Sequence, residues 1–165
     1  MATTFTLIQA NTLGSSAASV TFTSIPATYT DLCILISGRS TTGSPDSEIS
    51  EINGSSANLQ GRWVWGENGS VTNGSYSGNV VLVGLPKSTT TASTFGNVQI
   101  YISDYTGSRH KSISIESVSE TNASSEAYTM IAAGLWSNTA AITSIKITGT
   151  FAANSTFDLY GIKNS

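Results

Sequence analysis

The residue types that carry most enzyme chemistry are scarce in this chain of 165 residues, which has one histidine and one cysteine. His110 lies between Arg109 and Lys111, whose positive charges oppose its protonation, so we interpret it as an ordinary surface histidine. The segment 74–78, GSYSG, has a tyrosine where the nucleophile of a Gly-x-Ser-x-Gly motif would stand. We therefore expect no hydrolytic triad.

Metal and cofactor sites are not expected either. A zinc site needs several Cys or His ligands, which this chain cannot supply. Asp46, Glu48 and Glu51 could offer oxygen ligands to calcium, but they lack the spacing and fixed glycine of an EF-hand loop, so a solvated loop is favoured. The ten acidic residues could be paired in many ways for glycoside hydrolysis, and the sequence prefers no pair. We predict no catalytic residue, no cofactor and no metal, and a protein that is not an enzyme.

Two tryptophans are sharper candidates for binding. Trp63 and Trp65 are two residues apart on a predicted strand, so they project from one face, where two indoles could form a flat stacking platform for a sugar ring. Burial in the core or in a subunit contact explains the same pair, because tryptophan is common in both places. Packing is the favoured interpretation, and sugar binding is the alternative.

The segment 101–111, YISDYTGSRHK, contains a second set of candidates. Tyr105, Arg109, His110 and Lys111 combine an aromatic ring with hydrogen-bond donors that could grip a partner protein or a glycan. A solvated hairpin tip explains the same residues and is the favoured interpretation.

Composition and charge exclude several kinds of partner. Charged residues make up 10% of the chain and the net charge is −3, so we expect no basic surface for nucleic acid or for an anionic membrane. No apolar run approaches the roughly 20 residues that span a bilayer. The segment 1–10 alternates apolar with polar residues and lacks Lys and Arg, which is typical of a strand and not of a signal peptide. We expect synthesis in a cytoplasm.

Short runs of alternating residues predict an all-β chain. Residues 32–36, LCILI, are apolar on both strand faces, which indicates a central strand buried on both sides. Residues 126–135 could also fit a helical period, but a strand is favoured because of Gly134 and the neighbouring strand signals. Residues 69–79 are rich in Gly, Ser and Asn, which predicts a long loop. With roughly nine or ten strands and long polar loops, the sequence predicts one antiparallel β-sandwich domain over residues 1–165, jelly-roll-like in type.

Four segments together resemble a known protein family: FTSIPATYTDL at 22–32, IYISDYTGSRHKS at 100–112, AGLWSNTAAITSIKI at 133–147 and STFDLYGIK at 155–163. They are similar to virion structural proteins of tailed bacteriophages, a group that includes capsid cement or decoration proteins and modules of tail fibres. Within the first segment, Asp31 is expected to hydrogen-bond nearby amides at a strand corner.

The resemblance implies a virion protein that is made in the host cytoplasm and lies on the capsid surface. We predict a cement or decoration protein that binds the major capsid protein and stabilises its lattice, as a homo-oligomer and specifically a trimer. The alternative is a tail-associated receptor-binding module that recognises host surface glycan through Trp63, Trp65 or residues 101–111. Residues 40–96 match no part of the family pattern, so we expect partner specificity there.

Overall fold

The computed structural model describes residues 4–44, 46–82, 84–122 and 126–163. The ends of the predicted domain, residues 1–3 and 164–165, lie outside this part of the chain. The described part contains no helix and twelve strands. These are β1 (Phe5–Thr12), β2 (Ala17–Phe22), β3 (Asp31–Gly38), β4 (Ser47–Ile52), β5 (Leu59–Glu67), β6 (Ser70–Ser77), β7 (Val80–Val81), β8 (Gly96–Ile102), β9 (Lys111–Ser119), β10 (Tyr128–Trp136), β11 (Ile145–Phe151) and β12 (Thr156–Ile162).

The strands form two antiparallel sheets that pack on a shared apolar core. The larger sheet has eight strands in the order β1-β12-β3-β8-β9-β10-β5-β6, and the smaller has four in the order β2-β11-β4-β7. Strand β9 illustrates how the strands pack on this core. Its buried residues, such as Ile113 and Ile115, alternate with exposed ones, so one face of the strand contacts the core and the other faces outward. The predicted all-β antiparallel sandwich is confirmed.

Eight of the strands pair in a nested order. β1 pairs with β12, β2 with β11, β3 with β8 and β4 with β7, so the first and last strands are partners and the others nest inside them. The four remaining strands are the hairpin β5–β6, between β4 and β7, and the pair β9–β10, between β8 and β11. Both additions lie at the same end of the large sheet, which they extend beyond β8.

Strand β3 is central, as predicted, because it lies between β12 and β8. Its burial on both faces is only partly as predicted. Cys33 is buried on the outer face of the sheet, and burial raises the pKa of its thiol. Leu35 lies on the same face and is 39% exposed, because no described element covers it. The outer face of the large sheet is therefore open around Leu35.

The prediction for residues 69–79 was wrong. Their Gly, Ser and Asn content predicted a long loop, but residues 70–77 form the edge strand β6. Asn68 and Gly69 have φ angles of 50° and 79°, and this tight turn brings β6 directly back along β5. Pairing with β5 therefore overrides the weak strand propensity of β6. For residues 126–135 the favoured strand interpretation is confirmed, since β10 covers most of them.

Two glycines let the small sheet approach the large one. A Cβ at Gly61 on β5 would lie 3.4 Å from the Cα of Val80, and one at Gly134 on β10 would lie 2.8 Å from Val80 Cγ1. Strand β7, which follows β6 after only two residues, thus packs directly against the backbone of β5 and β10. This close contact fixes the position of the β5–β6 hairpin relative to strand β7 of the small sheet.

Candidate interaction surfaces

The two candidate tryptophans belong to a row of three aromatic rings. Trp63 and Trp65 project from the inner face of β5, and Tyr76 projects from the paired strand β6. The ring centroids of Trp63 and Trp65 lie 4.3 Å apart with an interplanar angle of 17°, and those of Trp63 and Tyr76 lie 6.2 Å apart at 26°. Gly74 stands opposite Trp63 and leaves room for its ring, since a Cβ there would lie 2.6 Å from Cζ2 of the indole.

This aromatic row is not the flat platform that the sequence suggested. The indoles of Trp63 and Trp65 stack on one another, so each covers a face of its neighbour instead of both presenting one plane outward. Both are partly buried and pack against the core, and within the described residues the buried Nε1 of Trp63 has no hydrogen-bond partner. The geometry matches the packing interpretation, and the exposed ring of the row is Tyr76.

The four candidates from the segment 101–111 form a buried pair, Tyr105 and Lys111, and an exposed pair, Arg109 and His110. Tyr105 is fully buried and donates its hydroxyl proton to the carbonyl of Pro26, and burial raises its pKa. Arg109 and His110 are exposed, and Arg109 Nη1 lies 4.0 Å from a carboxylate oxygen of Asp104. A partner could reach Arg109 and His110 but not Tyr105, so the predicted grouping does not form on the surface.

Lys111 is the most unusual side chain of this loop, because it is buried and its ammonium forms no ion pair with a carboxylate of the described residues. Its Nζ donates to the carbonyl oxygens of Gly107, Arg109 and Thr139 at 2.5, 2.6 and 3.3 Å. Burial lowers its pKa. Lys111 therefore holds the loop together from inside and is not available to a partner, which corrects the interpretation of it as a partner-binding residue.

The acid at the start of β3 organises the neighbouring corner. Asp31 is buried, and its carboxylate accepts hydrogen bonds from the hydroxyl of Tyr101 at 2.7 Å and from the amide of Asp104 at 2.8 Å. The bond to Asp31 raises the pKa of Tyr101 to about 12. The expected bonding to an amide is confirmed at Asp104, but no local sequence pattern identifies Asp104 or Tyr101, which are far along the chain, as the donors.

The acidic residues considered for calcium have protein partners. Glu48 accepts a hydrogen bond from Asn79 at 2.6 Å, burial raises the pKa of Glu48, and Glu51 pairs with Lys146 at 2.8 Å. Within the described ranges, no three Cys, His, Asp or Glu side chains converge on a possible metal position. Glu48 and Glu51 lie on strand β4 and are partly buried, so these residues do not form the solvated loop that the sequence favoured.

The outer face of the eight-stranded sheet is the surface that sequence reasoning missed. It exposes apolar side chains on the edge strand β1 and on the inner strands β3, β5, β9 and β10: Phe5, Leu7, Leu35, Val64, Val118, Ile131 and Leu135. The signal was present in the sequence, since these residues occupy the outward positions of strands whose inward positions are also apolar. Exposed apolar residues concentrated on one face are typical of a protein contact.

Comparisons with protein-family models, curated proteins and solved structures found no match for this chain. Among the described residues, no helix has the length and apolar character needed to cross a membrane. The function is therefore argued from the residues and the geometry above.

Proposed function

We propose that this chain is a structural protein of a tailed-bacteriophage virion, a cement or decoration protein that binds the major capsid protein at the capsid surface. The motif resemblance described above supports the virion assignment. The observation that carries attachment by contact is the uncovered outer face of the large sheet, which exposes apolar side chains in a chain with only 10% charged residues. The activity proposed is binding that stabilises the capsid lattice.

We infer that the sandwich is a jelly roll with two inserted strand pairs. The nested pairing of β1 with β12, β2 with β11, β3 with β8 and β4 with β7 supports this, since it corresponds to one long hairpin rolled into two four-stranded sheets. Jelly rolls build viral capsid domains and lectins, among other proteins. The fold agrees with the proposed role but does not by itself establish it.

The edge of the large sheet at β1 is the part of the outer face that we assign to the capsid. Phe5 and Leu7 are 51% and 52% exposed. The ring of Phe5 packs edge-on against the ring of Tyr160 on β12, with the two ring centroids 6.3 Å apart. Strand β1 carries no charge, and its free edge can pair with a strand of another protein. Large apolar anchors beside a free strand edge are suited to a protein partner.

A capsid presents the same partner many times, so weak contacts add up when the binding protein is itself a symmetric oligomer. The proposed protein therefore acts as a homo-oligomer, and a trimer on a three-fold axis of the capsid is the form that the resemblance to decoration proteins implies. Few charges at the contact make attachment tolerant of salt.

The test is to locate the protein on particles of the phage that encodes it, by immunogold electron microscopy, and then to measure binding of added protein to particles that lack it. We expect gold over the whole head. Leu7→Ser should reduce the bound amount at least about tenfold, because it removes a central apolar anchor. Val71→Ser is the control, because Val71 is also apolar and is even more exposed, at 76% against 52% for Leu7, but lies on β6 at the opposite end of the sheet; it should bind as the wild type does. Absence of label from the head, or equal loss in both variants, would contradict the proposal.

The second candidate is the tail-associated module that recognises host glycan, and one observation favours it. A concavity of about 310 Å³ lies between the exposed Tyr76 and the small sheet, and Asp46, Glu48 and Thr148 also line it. One aromatic ring beside carboxylate and hydroxyl oxygens is suited to a sugar, whose ring stacks while its hydroxyls donate. Gold confined to the tail in the same experiment would make this candidate the stronger one.

A further inference from the structure

We propose that two copies of this chain associate face to face through the outer surface of β9, β10 and β5. We call this surface the β10 patch and define it by Arg62, Val64, Glu116, Ile131 and Ala133. It lies at the opposite end of the large sheet from Phe5 and Leu7, so the two surfaces can be occupied together. The inference does not rest on the proposed role in a virion.

The centre of the β10 patch is apolar and exposed. Ile131 on β10 and Val64 on β5 stand directly opposite each other in the register and are 60% and 43% exposed. Directly opposite residues of an antiparallel pair have Cβ atoms about 5 Å apart, so the two side chains form one continuous apolar surface. Leaving both in water is unfavourable, and burial against a partner would remove that cost.

The patch also has the shape of a knob beside a hole. Small side chains, Ala133 and Ser114, stand next to the large Ile131 on the same face. A shallow concavity lies over them, and Arg62 and Ile113 also contribute to its lining. Because these small neighbours leave Ile131 uncovered, in a face-to-face pair Ile131 of each copy can contact Val64 of the other, which is the reciprocal contact that a two-fold interface requires.

Two opposite charges flank this centre on opposite sides. Arg62 is paired in register with Ala133, and Glu116 is paired with Ile131, so the two charges lie diagonally across β10. With strands about 4.8 Å apart and a rise of about 3.3 Å per residue, their Cα atoms are roughly 12 Å apart. Both side chains are exposed, and within the described part of the chain neither forms an ion pair.

This charge pattern is complementary to itself, and it identifies a second copy as the partner. A two-fold axis that lies between the facing sheets, midway between Arg62 and Glu116 and perpendicular to the line that joins them, exchanges the positions of these two residues. Each Arg62 then faces Glu116 of the other copy, and two equivalent ion pairs enclose the apolar centre. A patch with two like charges would repel its own copy.

The test is sedimentation equilibrium of the full chain over a range of micromolar concentrations, with charge reversal of each partner. We expect a reversible species of twice the mass of one chain. Arg62→Glu and Glu116→Arg should each raise the dissociation constant at least about tenfold, because each places two like-charged pairs across the axis. The double variant R62E/E116R restores both attractions and should return the constant to within about threefold of the wild type. Ile131→Asp should leave monomers.

Arg109→Glu is the matched control, since it makes the same charge change at an exposed loop position outside the patch and should leave the dissociation constant unchanged. Thermal unfolding followed by circular dichroism verifies that each variant is folded. Three results would overturn the inference: a wild type that stays monomeric, an oligomer that Arg62→Glu and Ile131→Asp do not weaken, or a double variant that is no tighter than the single ones. A trimer that these substitutions do not weaken would be an example of the second result, and it would mean that the chain self-associates through another surface.

Discussion

At the scale of single residues, the hydrogen bond from Tyr101 to Asp31 makes stability depend on pH in a predictable direction. The pKa of Tyr101 rises from 10.0 to about 12 in the folded chain, chiefly because its hydroxyl donates to the carboxylate of Asp31. A raised pKa means that the folded state holds the proton more tightly than the unfolded state does. The resulting stabilisation is complete below pH 10 and is lost as the pH rises toward 12.

We expect Tyr101→Phe to reduce the free energy of unfolding by about 1–2 kcal/mol at pH 8, and by progressively less between pH 10 and 12. Urea unfolding at several pH values measures this difference directly. Tyr76→Phe, on the edge strand β6, is the control for the removal of a tyrosine hydroxyl that does not bond to Asp31. If the loss caused by Tyr101→Phe were the same at pH 8 and pH 12, the bond to Asp31 would not be its origin.

At the scale of elements, the contact of β7 with the large sheet depends on Gly134. A Cβ at this position would lie 2.8 Å and 2.9 Å from the two Cγ atoms of Val80, and Val80 is fully buried. We expect Gly134→Ala to lower the free energy of unfolding by about 1–3 kcal/mol through overpacking. Val80→Ala in the same chain should recover part of that loss, because it removes the two methyl groups that the new Cβ meets. Urea unfolding of both single variants and the double variant gives the coupling free energy.

Gly66→Ala on β5 is the control for Gly134→Ala, since the nearest atom to its Cβ, the carbonyl oxygen of Ser70, lies 3.9 Å away. It should change the free energy of unfolding by less than about 0.5 kcal/mol. An equal loss for both glycines would mean that the contact with Val80 does not determine the effect.

The same elements show how far the sequence alone predicts the fold. The strand at β10 follows from Gly134 and the neighbouring strand signals, and the central position of β3 follows from the unbroken apolar run 32–36. Strand β6 does not, because its order comes from pairing with β5 and not from its own residues. Likewise, alternation places Trp63 and Trp65 on one face, but the rotamers that stack them depend on the space above Gly74. Burial of Lys111 depends on carbonyls brought together by the loop, which no spacing encodes.

At the scale of the whole molecule, the nested pairing brings the two ends of the described chain together. Phe5 pairs with Ile162, and the amide of Lys163 donates to the carbonyl of Thr4 at 3.1 Å. Most pairings join distant parts of the sequence, as β1 with β12 and β2 with β11 do. The order of the strands in space can therefore be kept while their order along the chain changes.

A circular permutant tests whether this pairing, and not chain order, specifies the fold. In this permutant the ends are joined by a short Gly/Ser linker and the new ends lie at the exposed Asn68–Gly69 turn. We expect cooperative urea unfolding with a free energy of unfolding within about 2 kcal/mol of that of the parent, because only an edge hairpin loses its link.

The matched permutant has the same linker and new ends between Leu159 and Tyr160. This break divides β12, which joins β1 to β3 through hydrogen bonds on both sides. We expect that chain to lack a cooperative transition, since the separated halves of β12 must each find the sheet at an entropic cost. Equal stability of the two permutants would show that an intact β12 is not what holds the nested strands together.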